Sequence, residues 1–158
     1  MTDIELAWAA GLFEGEGTVT ILRGGNRPYT RLKVCMSNTD HDIVQFFADR
    51  WPGEYRAVRR RAESHRQAWI WGRSCRAAAA FLTDIQPFVC GLRMRARIEL
   101  ALLSQSVRRQ GTRQNVASYR ETNERFMDRM RRLNVKGPNS FIDALHASGL
   151  KALLVENP

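Results

Sequence analysis

The sequence predicts an α+β fold, a four-stranded antiparallel sheet with helices on one face, in the order αββαββα followed by further helices. Two observations carry this. Two stretches of strand-like residues each double back across a Gly- or polar-rich turn, and each is preceded by a segment of helical periodicity. Beyond residue 91 only helical periodicity remains. At 158 residues the chain fits one domain, with a core over about residues 3–108 and a helical extension over about 109–158.

Each element follows from its residues. Thr2 is placed to cap a first helix over Ile4–Phe13, with Glu5 in its first turn, and Gly15 and Gly17 are expected to end it. Thr18–Arg23 is β-branched and reads as a strand. The turn Gly24–Pro28 joins it to a second strand over Tyr29–Met36. There Leu32, Val34 and Met36 alternate with Arg31, Lys33 and Cys35, which describes a half-buried strand with a basic outer face. Asn38-Thr-Asp40 opens a helix over His41–Arg50, and Trp51-Pro-Gly53 stops it. A second hairpin is predicted from Tyr55–Arg61 and Gln67–Trp71, with Glu63-Ser-His65 at its turn. A third helix starts near Ser74 and covers Ala77–Leu82, ending before Pro87. Long helices follow over Leu92–Val107 and Asn115–Leu133, and Gly137-Pro138 breaks the chain before a short one over Ser140–Ala147.

Charge narrows the function. Lys and Arg total 25 against 16 Asp and Glu, a formal charge of +9 that attracts polyanions. Only Lys33, Lys136 and Lys151 are lysines; arginine, which forks onto phosphate and guanine, supplies the rest. A basic surface that merely keeps the protein in solution is the plainer reading of the same numbers. Dense arginine on two hairpins favours a sheet face that meets nucleic acid. The three cysteines, Cys35, Cys75 and Cys90, form no Cys-x-x-Cys pair, so neither a structural zinc nor a disulfide framework is expected and the compartment is a reducing one. His41, His65 and His146 have no metal-ligand spacing, and there is no Walker loop or His-Asn-His nuclease pattern. No apolar run is long enough to span a bilayer, and no signal-peptide pattern opens the chain, so no membrane association is expected.

The segment Leu6-Ala-Trp-Ala-Ala-Gly-Leu-Phe-Glu-Gly-Glu-Gly17 is the most informative. Ala7 and Gly11 lie four apart with Ala10 beside them, and small residues on a helix face let two backbones approach closely. Glu14 and Glu16 fall at the end of that helix, near the negative pole of its dipole, where a carboxylate costs about 0.3–1 kcal/mol unless a cation offsets it. Gly15 and Gly17 are expected to turn the backbone and expose a carbonyl next to a carboxylate, an oxygen-only set that suits Mg²⁺.

Ala9-Ala-Gly-Leu-Phe-Glu-Gly-Glu-Gly17, followed at once by a β-rich segment, resembles the LAGLIDADG motif of homing endonucleases. The αββαββα order over about residues 3–108 is similar to that family, as are Asn38-Thr-Asp40, Gln86-Pro-Phe88 and Ala96-Arg-Ile-Glu-Leu-Ala-Leu102 in their places.

The resemblance implies a divalent-metal-dependent endonuclease that cleaves double-stranded DNA at a long near-palindromic target. Glu16 would bind the catalytic Mg²⁺ or Mn²⁺, with the Gly15 carbonyl as a further ligand. Ala7, Ala10, Gly11 and Glu14 would form the interface of a homodimer, because the chain holds one motif and no second copy. The sheet would lie on DNA through Arg23, Arg27, Arg31, Lys33, Arg56, Arg59, Arg60, Arg61, Gln67 and Arg73. The family's basic residue before the long helix falls on Leu92 here, so Arg93 is the candidate, one residue out of register. The water-positioning polar residue expected near the end of the second strand has no clear counterpart.

The resemblance also implies an intron-encoded mobile element acting in the cytoplasm, the nucleoid or an organelle matrix. Two other readings stay open: a non-cleaving relative acting as an RNA maturase or DNA-binding regulator, and a basic helical scaffold using residues 91–133.

Overall fold

A computed structural model describes residues 1–24, 30–60, 62–110, 116–135, 137 and 140–148. The elements run α1 (Asp3–Glu16), β1 (Gly17–Arg23), β2 (Thr30–Asn38), α2 (His41–Arg50), β3 (Glu54–Ala57), β4 (Trp69–Ser74) and α3 (Cys75–Ile85). A 3-10 turn, Gln86–Phe88, leads to α4 (Leu92–Gln110), α5 (Val116–Asn134) and α6 (Ser140–Ser148). The strands form one sheet in the order β1-β2-β4-β3, and β4 pairs antiparallel with both β2 and β3. The predicted element order is therefore the observed one.

The chain divides into two units, 1–19 with 33–89, and 20–32 with 90–158. In the first, the buried face of the sheet meets helices through an aromatic core. Phe13 stands edge-on to Phe81 at 4.9 Å, and Trp71 packs against Phe81 at 4.8 Å and Phe47 at 5.3 Å. Such rings each bury a large apolar area and prefer these tilted geometries. Their polar handles are satisfied: the Trp71 indole N–H donates to the Trp51 carbonyl at 2.8 Å, and the Trp51 N–H donates to Asp84 at 2.9 Å. In the second unit, Met94, Ile98, Leu100 and Ala101 of α4 are buried, as are Phe126, Met130 and Leu133 of α5. Thr30 donates a hydroxyl hydrogen bond to Asn123 at 3.3 Å inside that core.

Of the boundaries that differ from the predicted ones, those of four elements have a plain local reason. α1 does not stop at Phe13: Gly15 is helical, and the last helical bond runs from the Gly17 N–H to the Phe13 carbonyl. Gly17 ends the helix with φ −81° and ψ 153°, an extended backbone and not a left-handed one. It is a glycine because of space, since a Cβ there would lie 2.3 Å from the Phe13 carbonyl oxygen. β2 continues to Asn38, because its last residues pair with Trp69 and Ile70. β3 is four residues long, not seven. Past it the Val58 N–H still bonds the Ala68 carbonyl at 2.8 Å, and the Gln67 amide bonds the Val58 and Ala68 carbonyls at 2.8 Å each, closing the ladder before the arginine run. β4 lies later than predicted, which brings Arg73 into a strand.

Candidate active site and nucleic-acid interface

The motif helix α1 is secured at its start by a reciprocal cap. Thr2 Oγ1 accepts from the Glu5 N–H at 3.2 Å, and Glu5 Oε2 accepts from the Thr2 N–H at 2.9 Å. Glu5 also pairs with Arg50 at 2.6 Å, and that guanidinium, with the Thr2 N–H, holds its carboxyl down to about 2. Between Leu6 and Phe13 the helix is apolar all round. Ala9, Ala10 and Phe13 are buried within the chain, whereas Ile4 is 82% and Trp8 45% exposed, and Ala7 and Gly11 are open beside them. The predicted interface residues thus separate. Ala7 and Gly11 lie on the open face, and Ala10 belongs to the chain's own core.

At the other end of α1, Gly15 and Glu16 are exposed and Glu14 is half-buried. No basic residue occupies the last turn, so both carboxylates stand against the helix dipole. Among the described residues Glu16 makes no ion pair, and no three His, Cys, Asp or Glu side chains gather as a metal site. The Gly15 carbonyl lies in the final turn, past the last helical bond, where backbone oxygens lack helical donors. A carboxylate and a carbonyl are hard oxygen donors, and this donor set fits a divalent cation such as Mg²⁺.

Arg93 is engaged elsewhere. Its guanidinium donates to the carbonyls of Val135 at 3.2 Å and Gly137 at 3.3 Å, while Arg97 donates to Leu133 at 2.9 Å. Arg97 thereby donates to a carbonyl in the last turn of α5, and Arg93 donates to carbonyls of the chain just beyond that helix. Burial depresses the Arg97 pKa, with Arg93 a nearby like charge that adds to it.

The sheet sorts the expected DNA-facing residues by strand parity. Along β2, Thr30, Leu32, Val34 and Met36 are buried, and Arg31, Lys33, Cys35 and Ser37 project from the opposite, open face. Lys33 lies opposite Ser74, Cys35 opposite Gly72, and Ser37 opposite Ile70; Gly72 and Ile70 in turn face Glu54 and Arg56. Lys33 and Arg56 are therefore on the open face, as expected. Glu54 shares it, 2.9 Å from Arg56 and 3.6 Å from Lys33. The Arg56 hydrogen bond and the Lys33 charge hold the Glu54 carboxyl below the usual range.

Three of the residues expected on DNA fall elsewhere. Arg73 is opposite Val34 and so on the helix-facing side, where burial lowers its pKa and Asp84 opposes that shift. Arg23 shares the parity of buried Val19 and Ile21 and pairs with Glu124 of α5 at 3.2 Å. Gln67 is bound to backbone carbonyls. Arg59 and Arg60 are exposed just past the end of β3, and Arg27 and Arg61 lie outside the described residues. The sequence reading missed Glu54, although its parity with Arg56, two residues on, was the available signal. It also missed Ile4 and Trp8 as exposed apolar groups, because the unbroken apolar stretch Leu6–Phe13 gives no clue to which side of the helix is inward. No helix among the described residues is long and apolar enough to cross a membrane.

No protein-family model and no curated protein matches the sequence. The structure, in contrast, is similar to solved homing endonucleases. A complex of the homing endonuclease I-CvuI with its DNA target in the presence of Ca has a TM-score of 0.62 and 14% identity, over 95% of this chain and 94% of that one. A second I-CvuI complex, with Mg and uncleaved DNA, gives 0.62 and 14% over 96% and 92%. The archaeal intron-encoded homing endonuclease I-Vdi141I, bound to DNA, gives 0.59 and 9% over 97% and 98%. The chain has the fold of the LAGLIDADG homing endonucleases across nearly its whole length.

Proposed function

We propose that this chain is one subunit of a homodimeric homing endonuclease that cuts double-stranded DNA at a long, near-palindromic site with the help of a divalent metal. The observation that carries this is α1. The helix presents an apolar outer face and ends in an exposed carboxylate beside a helix-terminal carbonyl that has no helical donor. Two such helices packed about a twofold axis would cover Ile4, Ala7, Trp8 and Gly11 and bring two Glu16 carboxylates together. The likeness to DNA-bound homing endonucleases supports the same reading.

In this scheme Glu16 and the Gly15 carbonyl hold the cation, and Glu14 helps tie the helix end to its partner. Held by Glu16 and the Gly15 carbonyl, a divalent ion would supply Lewis acidity for water activation and for charge on the leaving oxygen. The chain's own part is to hold oxygen ligands rigidly at a helix terminus, while the open sheet face fixes the register of the duplex so that one phosphodiester per strand reaches Glu16. The protein acts wherever its host DNA lies, in cytoplasm, nucleoid or organelle matrix.

Glu16→Gln keeps the shape and removes the charge. The variant should bind duplex DNA and lose Mg²⁺-dependent cleavage, by about a hundredfold or more, since a metal ligand of this kind supplies several kcal/mol in the transition state. Cleavage of a verified target at the wild-type rate would remove Glu16 from the metal site. A non-cleaving DNA or RNA binder is the second reading, and it is favoured by the engagement of Arg93 with the chain just beyond α5. Target binding by the wild type without Mg²⁺-dependent strand scission would establish it.

A further inference from the structure

Three rows of side chains cross the open face of the sheet where β2, β4 and β3 lie side by side. They are Lys33 and Ser74; Cys35, Gly72 and Glu54; and Ser37, Ile70 and Arg56. The middle row is low at its centre, because Gly72 has no side chain and a Cβ there would lie 3.1 Å from the Val34 carbonyl oxygen and 3.4 Å from the Cys35 Cβ. At the end of that row stands Glu54, with one carboxylate oxygen 2.9 Å from the Arg56 Nε and the other 3.6 Å from the Lys33 Nζ. Neither cation is buried, so neither ion pair is needed to compensate desolvation, and surface pairs of this kind add little to stability.

A carboxylate is a poor choice for a surface that only grips the backbone of DNA, since it repels phosphate and cancels neighbouring positive charge. It is a good choice for a base edge. An ionised carboxylate only accepts hydrogen bonds, and the cytosine N4 amino group is the major-groove donor that such side chains read. Arginine beside it matches the O6 and N7 acceptors of the paired guanine. The geometry points to Glu54 as a specificity-determining residue that accepts from the amino group of a cytosine, with Arg56 donating to the guanine of the same pair. In the free protein Glu54 also holds Arg56 and Lys33 together, which keeps both from binding phosphates indiscriminately. This inference rests on the reading that the open face meets duplex DNA.

The test uses the full chain, a pool of randomised duplexes and Ca²⁺, with bound sequences counted for the wild type, Glu54→Gln and Arg56→Gln. Matching melting temperatures show that the variants are folded. The wild type should enrich a C:G pair at a fixed place in each half of the selected sequences. Glu54→Gln should lower that preference by about tenfold. It should also bind arbitrary duplex more tightly, with a salt slope steeper by about 0.9 for each further phosphate neutralised. Arg56→Gln should weaken the same position. If Glu54→Gln enriches the same pair as strongly as the wild type, the inference fails while the DNA reading stands. Tighter binding with an unchanged base profile would reduce Glu54 to a charge mask and overturn the assignment, as would a lost preference for an A:T pair. A wild-type protein that enriches no duplex sequence would overturn both this inference and the reading beneath it.

Discussion

At the scale of single residues, two glycines that look alike in the motif do different work. Gly15 is helical and a Cβ there meets nothing within 4 Å, whereas a Cβ on Gly17 would collide with the Phe13 carbonyl and ring at 2.3–2.6 Å. Gly15→Ala should therefore stabilise the fold by about 0.5–1 kcal/mol, because alanine loses less chain entropy in a helix. Gly17→Ala should cost about 1–3 kcal/mol, because the neighbour is backbone and ring and has little room to give. Urea denaturation of the two variants reads both signs, and equal stabilities would mean that the Phe13 approach does not constrain the motif. The sequence shows that a helix ends in Glu-Gly-Glu-Gly but not where, since both glycines are equally good terminators on paper. The same limit applies to the arginines. Composition marks Arg23, Arg56 and Arg73 alike, and only strand parity separates Arg56 on the open face from the other two on the helix side.

At the scale of elements, α1 was legible as a helix but not as a two-sided one. Its cap, Thr2 with Glu5, and its small residues could be read directly; which apolar side faces inward depends on packing with Phe47 and Phe81 from distant segments. The element order was also legible, because periodicity switches from helical to alternating at clear turn residues. The end of β3 was not, because it is set by side-chain bonds from Gln67. Two predictions belong here. Nothing lies within 4 Å of a Cβ on Gly11, so Gly11→Leu is compatible with the isolated chain. If the open face of α1 is the subunit interface, this variant should remain folded by circular dichroism yet elute as a monomer; a stable dimer in light scattering would exclude that interface. The second concerns Glu5 and Arg50, which join α1 to α2. The folded Glu5 pKa, about 2, lies below its ordinary 4.5, so the pair's contribution is complete above that ordinary value and fades as the pH falls through 2. The stability gap between wild type and Glu5→Gln should hold at pH 6 and close on the way to pH 2. A gap independent of pH would show that the ion pair contributes nothing.

At the scale of the whole molecule, a charge of +9 does not reveal how many cations are available to a polyanion. Several arginines are already answered by acids: Arg125 by Glu121 and Arg132 by Asp128 along α5, Arg23 by Glu124, and Arg50 by Glu5. The open sheet face carries Arg31, Lys33 and Arg56, and there Glu54 lies beside Lys33 and Arg56. Counterion release distinguishes the two populations. If a dimer neutralises about six phosphates, the logarithm of its affinity for duplex should fall with the logarithm of salt at a slope near −5, from about 0.9 per phosphate. In such a dimer Arg31→Gln changes one side chain in each subunit. It should flatten that slope by about 0.9 for every phosphate left unneutralised if the residue grips the backbone, or leave the slope alone and relax one base position if it reads an edge. Arg125→Gln and Arg132→Gln, which break ion pairs along α5, should do neither. If the α5 substitutions flatten the slope while Arg31→Gln does not, the nucleic acid lies on the helical extension, and the basic scaffold of residues 91–133 replaces the sheet as the binding surface.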